Sequence, residues 1–406
     1  MHFSAQKRPL VLRKRLCSIA LLAAVSLGIM SAGCNNSTGV TFGVILPESG
    51  ELAGFGPSWI NGINLAVAHI NEGGGILGRS LAVVTRDSGT RADTALSAAQ
   101  ELIETHGVGA LIGAGSSAVT MALVDTVQEA GVVLISPAAT SPAISTLHDA
   151  GLVWRTAPPD TMQGSYMAAR AVGLGLHDAS VFYQEDDYGR GIRDGFSSAY
   201  QGEGGTLYQT ISCGTGQSSY LAELEELFAD PIDVAVLATY INNARVILNQ
   251  WHGLDRAGTW MLSEANFHDL LLASGETAAG TYVVEIGSRE ETGFSGIFEA
   301  AYGSVPQTFT ANAYDALMLL ALAAHKAGSL DGGRIASCLT AVSGPGGELV
   351  GIGADQYGRA LSVLGSGGEI NYEGASGSID FDGSGDVTDA YYRLWRVDQG
   401  QFVRIE

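Results

Sequence analysis

Little in this 406-residue chain is basic, aromatic or sulfur-bearing, and each scarcity closes off a class of function. Lys and Arg number 21 against 42 Asp and Glu, a formal net charge of −21. A field of that sign repels nucleic acid and favours solubility, without bearing on the fold. The four cysteines form no Cys-x-x-Cys pair, and the eight histidines show no His-Glu-x-x-His or other metal-ligand spacing. Neither a metal nor another cofactor is expected. Gly113-Ala114-Gly115-Ser116-Ser117 lacks the third glycine of a dinucleotide fingerprint and the Gly-x-Ser-x-Gly of a nucleophile elbow. After Met30 no apolar run approaches the roughly 20 residues of a membrane span. The best, Ala316 to Ala324, is short and runs into His325 and Lys326.

What is present begins with an export signal. Lys7, Arg8, Arg13, Lys14 and Arg15 precede an apolar run from Leu16 to Met30 and then Ser31-Ala32-Gly33-Cys34, the layout of a secretory signal peptide over 1–33. Ala-Gly-Cys resembles the end of a bacterial lipobox, with Cys34 as the lipidated first mature residue and 34–40 as a polar tether. Ser31 stands where that pattern prefers Leu, and ordinary signal peptidase could also cut after Gly33. The expected location is extracytoplasmic, in the periplasm or cell envelope, with a membrane anchor. Of the remaining cysteines, Cys213 and Cys338 read as separate buried thiols, although export permits a disulfide.

The body alternates strand and helix. Thr41 to Leu46 is an apolar run, and Ile60, Ile63, Val67 and Ile70 recur at helical spacing before Asn71-Glu72-Gly73-Gly74-Gly75. Leu81 to Thr85 and the stripe Ala95, Leu96, Ala99, Leu102, Ile103 continue the series. Leu111 to Pro142 then reads strand, small-residue turn, helix, strand, small-residue turn. Such a series predicts an α/β fold with a parallel sheet covered on both faces. Its turns, GSS at Gly115 to Ser117 and SPAAT at Ser136 to Thr140, should share the crevice at the strands' carboxyl ends. The rhythm restarts after Trp154-Arg155-Thr156-Ala157-Pro158-Pro159 and builds a second set of strands and helices to Ile286. The expected division is a first lobe of 41–155 plus 287–387 and a second of 156–286 plus 388–406, joined by a hinge. The tail from Gly377 to Phe402 alternates like a β-hairpin around Asp382-Gly383-Ser384-Gly385-Asp386. That loop opens like a calcium loop, but Tyr391 stands where its bidentate Glu belongs.

The stretches NGINLAVAHINEGGGILGRSLAVVTRDSGT, LIGAGSS, AGVVLISPAATSP, VWRTAPPDTMQG, DDYGRGI and FDGSGDV occur in order over nearly all of the mature chain. They resemble the periplasmic leucine/isoleucine/valine-binding proteins, the type I solute-binding components of branched-chain amino-acid ABC importers. The resemblance implies two α/β lobes, each a parallel sheet flanked by helices, joined by three crossings. It also implies a monomer that closes on an amino acid and delivers it to permease and ATPase subunits. Position by position it marks Ser117, Ala138, Ala139 and Thr140 as contacts to the ligand main chain, Tyr188 and Tyr240 as aromatic contacts from the facing lobe, and Glu264 as partner of the ligand ammonium. Ala238-Thr239 replaces two glycines common in relatives before the Tyr240 position, which leaves side-chain selectivity open.

Each marked residue also has a plainer reading. Ser116 or Ser117 could only cap a helix, Thr140 could be a turn residue, and the tyrosines could be packing. Glu264, after Trp260-Met261-Leu262, is expected at the cleft mouth if it binds ligand. Phe55 and Trp59 could be further walls or core. Two other functions remain open: a sensory binding protein of the same fold, and an exported hydrolase using Ser117.

Overall fold

The computed structural model describes residues 39–405, so the leader and Cys34 lie outside the described residues. Strands β1 (Val40–Leu46), β2 (Leu81–Asp87), β3 (Ala110–Gly113), β4 (Val133–Ser136) and β5 (Val153–Arg155) make one sheet in the order β2-β1-β3-β4-β5. Every pairing in it is parallel. The second sheet comprises β6 (Asp178–Gln184), β7 (Thr206–Cys213), β8 (Val234–Ala238), β9 (Thr259–Leu262) and β10 (Tyr282–Ile286). A short parallel pair, β11 (Glu348–Val350) and β12 (Ile370–Tyr372), precedes β13 (Tyr392–Asp398) and β14 (Gln401–Arg404), which join the second sheet antiparallel. Its order is β14-β13-β10-β9-β8-β6-β7. Runs such as Val234–Ala238 are buried at every position, as strands with helices on both faces must be. The chain thus has the expected α/β class.

Residues from Thr310 to Ala324 of the helix Thr310–Ala327 are all buried. This helix lies along Gly56–Glu72, and the close approach is set at Gly62, where a Cβ would come within 2.6 Å of the Thr310 carbonyl oxygen. Ser58 and Thr310 share a 2.7 Å hydroxyl bond at the same crossing. The chain passes from the first sheet to the second between Arg155 and Asp178, leaves the second after Ile286 and returns to it at Tyr392. The first pass is pinned to the long helix: Thr156 Oγ1 donates to the Asn312 carbonyl at 2.9 Å, and Asn312 Nδ2 returns a bond to the Thr156 carbonyl at 2.7 Å.

One buried ion pair fixes the ends of these passes. Arg155, fully buried at the end of β5, reaches Asp386 through Nε at 2.5 Å and Nη2 at 2.9 Å. Its Nη1 donates to the carbonyls of Ser141 at 2.8 Å and Ala139 at 3.3 Å. The guanidinium therefore holds the SPAAT turn from behind and ties it to the chain that leads into β13.

That pair also corrects the expected hairpin. Around Asp382 there is a tight turn, with the Asp382 carboxylate accepting from the amides of Ser384 and Asp386, and only an isolated bridge between Phe381 and Val387. Drawing Asp386 inward to Arg155 is incompatible with a regular ladder there. The extended hairpin lies later, where β13 and β14 turn at Gln399-Gly400. Cys213 and Cys338 are free thiols, the first buried and the second half-buried. No helix among the described residues is long and apolar enough to cross a membrane.

Removing one member of a buried pair strands the other's charge, so Asp386→Ala should lower stability by about 3–5 kcal/mol in urea unfolding. A loss below about 1 kcal/mol, the range of an exposed pair, would contradict this assignment.

Candidate functional site

Parallel strands in register deliver their carboxyl ends to one level, and that level is where the site lies. Register pairs Leu111 with Leu134 and Ile112 with Ile135 in one sheet, and Tyr183 with Ala238 and Leu237 with Leu262 in the other. Ser117 follows β3, Ala138 follows β4, Tyr188 follows β6, Tyr240 follows β8 and Glu264 follows β9. These five residues line one small pocket, together with Leu52, Phe55, Trp59, Gly115, Ala265, Thr308 and Phe309. Ala139 and Thr140 are not among its lining residues. They are buried in the turn beside it.

Ser117 is the first residue of the helix Ser117–Ala122, and no side-chain capping bond is made there. Its Oγ instead accepts from the Thr140 amide at 3.2 Å and the Ser141 amide at 3.1 Å. Both lone pairs are thereby engaged, which leaves the hydroxyl only a proton to offer. Next to it, the Ala138 amide has a long 3.4 Å bond to Ser136 Oγ. This end of the space presents donors, the chemistry that suits a carboxylate.

The opposite end is acidic. Glu264 begins a short 3-10 turn after β9 and is 2% exposed. It is buried rather than at a cleft mouth, covered by Tyr188 and Gln163. The Tyr188 hydroxyl lies 3.1 Å from its Oε2 and 2.7 Å from Ser263 Oγ, and Gln163 Oε1 accepts from its backbone amide at 3.2 Å. Burial pushes the Glu264 carboxyl up to about 7, against the lowering pull of Gln163 and Tyr188. Asp160, one helical turn before Gln163, is fully buried and raised well above the carboxylate range by burial and by Glu264. Among the described residues lining the space, none is Lys, Arg or His.

Tyr188 and Tyr240 stack nearly parallel, 5.2 Å apart at 4°. Across from them Phe55 stacks on Trp59, and the Phe55 ring meets His268 edge-on at 5.0 Å, so the two sides touch over the site. Sequence reasoning named Phe55 and Trp59 as walls or core, and here they line the space. It missed Leu52, Thr308 and Phe309. Phe309 holds a left-handed backbone at φ +64°, a conformation unusual for a bulky residue and invisible in the sequence pattern. Among the described residues no group of His, Cys, Asp and Glu is placed to hold a metal ion.

Two α/β sheets meeting over an enclosed space with donors at one end and a buried acid at the other define a ligand-binding protein of the cleft type. The model of a periplasmic binding protein family matches residues 39–359, and the chain belongs to that family. It is 30% identical to a chemotactic signal transduction system substrate-binding protein, BasB, of Halobacterium salinarum, over 84% of this chain and 83% of that one. It is 26% identical to a Leu/Ile/Val-binding protein, BraC3, of Rhizobium johnstonii, over 90% and 94%. Among solved structures, a leucine binding protein, LivK, of Thermotoga maritima superposes with a TM-score of 0.77 at 25% identity, covering 90% of this chain and 98% of that one. The fold is therefore that of the type I periplasmic binding proteins.

A carboxyl that holds its proton more tightly when folded makes the folded state bind more protons between about pH 4.5 and 7. Unliganded stability then falls as pH rises through that window. Glu264→Gln should stabilise the unliganded protein at pH 8, by about 1–3 kcal/mol, with the gain shrinking toward pH 5. A gain equal at both pH values in thermal melts would show that Glu264 does not titrate there.

Proposed function

We propose that the protein captures an α-amino acid between its two lobes, without transforming it, and delivers it to the permease and ATPase of an ABC importer. The lobes are 41–155 plus 287–387 and 156–286 plus 388–406. The observation that carries this reading is the polarity of one enclosed space: a serine hydroxyl restricted to donating at one end, and a buried glutamate without a cation beside it at the other. A zwitterion supplies both missing charges. The carboxylate takes the Ser117 hydroxyl and the Ala138 amide, and the ammonium takes Glu264. Thr140 and Ala139 shape the gripping turn, and Tyr188 and Tyr240 close the facing side. The names of the Leu/Ile/Val-binding relatives support an amino acid as the ligand. Cys34 anchors the chain to the membrane through lipid after removal of the 1–33 leader, and the protein works as a monomer.

Calorimetry against a panel of amino acids should find at least one ligand. Ser117→Ala and Glu264→Gln should each weaken it by about 1.5–3 kcal/mol, the range for charge-assisted bonds. Failure of every α-amino acid to bind or to raise the melting temperature would overturn the proposal. Cys34→Ser should move the protein from the membrane to the soluble fraction. Retention of that variant in the membrane would refute lipidation at Cys34.

A further inference from the structure

Phe309 lines a second pocket as well as the site already described, and this second one has a volume of about 370 Å³, in the range of small-molecule sites. Two parts of the fold wall it. Val305, Pro306 and Gln307 come from the segment that leads into the helix Thr310–Ala327, while Glu285 and Arg393 stand on adjacent strands of the second sheet, β10 and β13. The lining carries two arginines and two glutamates, so it is neutral as a whole. Arg289 is committed to Asp389 and Glu290 to Arg404, and neither of those partners lines the pocket. What is left is Arg393 with Glu285, whose side chains are only 13% and 10% exposed. Their contact is long, Nη1 to Oε2 at 3.3 Å, and the same Oε2 takes a shorter bond of 2.8 Å from the Trp395 indole N–H. Nη2 of Arg393 donates to the Ser288 carbonyl, and the guanidinium lies over the Tyr391 ring at 5.2 Å. Its Nε is buried without a hydrogen-bond partner among the described residues. Burial holds the Glu285 carboxyl above its ordinary range even though Arg393 and Trp395 pull it down.

An ion pair taken out of water needs more than one long contact to offset its desolvation. The guanidinium carries more N–H groups than its two bonds use, and a carboxylate has room for further donors. A ligand carboxylate can therefore pair with Arg393 and a ligand ammonium with Glu285. A plain anion or a plain cation satisfies one member and is opposed by the other. We propose that this pocket is a second, separate site for a small zwitterion, an α-amino acid held by its main chain between Arg393 and Glu285. The proposal goes beyond the reading of the first site, since Ser117, Ala138, Tyr188, Tyr240 and Glu264 take no part in it. Among the described residues Phe309 alone lines both pockets.

The test is equilibrium dialysis of the purified mature protein against labelled leucine and labelled alanine, carried into the millimolar range. The parent should bind two equivalents. Glu264→Gln should weaken one and spare the other. Arg393→Met should do the reverse, weakening the second equivalent about tenfold or more, the loss of one charge-assisted bond. Val305→Trp should act like Arg393→Met by filling the pocket from its rim, where Val305 is 63% exposed, and it leaves the ion pair intact. Thermal melts report whether each variant is folded, and Val305→Trp decides the matter if Arg393→Met is not. A single equivalent that Glu264→Gln weakens and that neither Arg393→Met nor Val305→Trp changes overturns the second site and leaves the amino-acid reading of the first standing. Two equivalents that both ignore Arg393→Met and Val305→Trp overturn it as well. A single equivalent that responds to those two variants and not to Glu264→Gln supports the second site and overturns the reading of the first. No binding of either amino acid overturns both.

Discussion

A carboxylate cannot remain ionised and buried without a cation, and the closed site is arranged around that constraint. Glu264 is buried beside Tyr188 and Gln163, and no basic side chain among the described lining residues meets it. Asp160 sharpens the problem from the helix behind. Arg155, the cation that acts on Asp160, is already committed to Asp386 and to two backbone carbonyls. Without a ligand the site relieves the conflict by holding protons, which is the physical meaning of the raised carboxyls. In the proposed amino-acid complex the ligand ammonium would relieve it better, because it would let Glu264 ionise and supply the partner. The group that makes the empty closed state costly is thus the group that rewards a full one.

The rest of the architecture serves to hold the two ends of the ligand at a fixed separation. Ser117 and Ala138 follow adjacent parallel strands of one sheet, and Tyr188, Tyr240 and Glu264 follow adjacent parallel strands of the other, so register sets the spacing within each group. The SPAAT turn is buried beside the pocket, and Arg155 fastens it through the carbonyls of Ala139 and Ser141. Since the same guanidinium is bound to Asp386, shortly before the chain re-enters the second sheet at β13, the turn is tied to that segment. The pair is structural, yet it determines how firmly the donor end is aimed.

What could be read from the sequence follows from how local each feature is. The GSS and SPAAT turns were legible because strand, turn and helix succeed one another within a few residues, and small polar residues at strand ends carry their chemistry with them. The depth of Glu264 was not, since its burial depends on Tyr188 and Gln163, each far away along the chain. The role of Phe309 and Thr308 was hidden for the same reason: the bond from Trp59 to Thr308 joins positions 249 residues apart. The tail hairpin was misplaced because alternation runs on through Asp380 to Asp386. Only the fold shows that Asp386 turns inward to Arg155, which interrupts any ladder before β13.

The two functions of the cleft, gripping and choosing, are built from different parts of the chain. Gripping uses strand ends whose positions are set by hydrogen-bonded register and a buried ion pair. The apolar wall of Leu52, Phe55, Trp59 and Phe309 comes instead from the loop after β1, from one helix and from the segment entering another. The contact at Gly62 sets how those two helices cross, and so sets the distance from Trp59 to Thr308. A change in the aromatic wall can therefore alter which side chain fits while the donor end and Glu264 keep their geometry. Gly115 is where the two parts touch: it precedes the gripping serine and supports the indole.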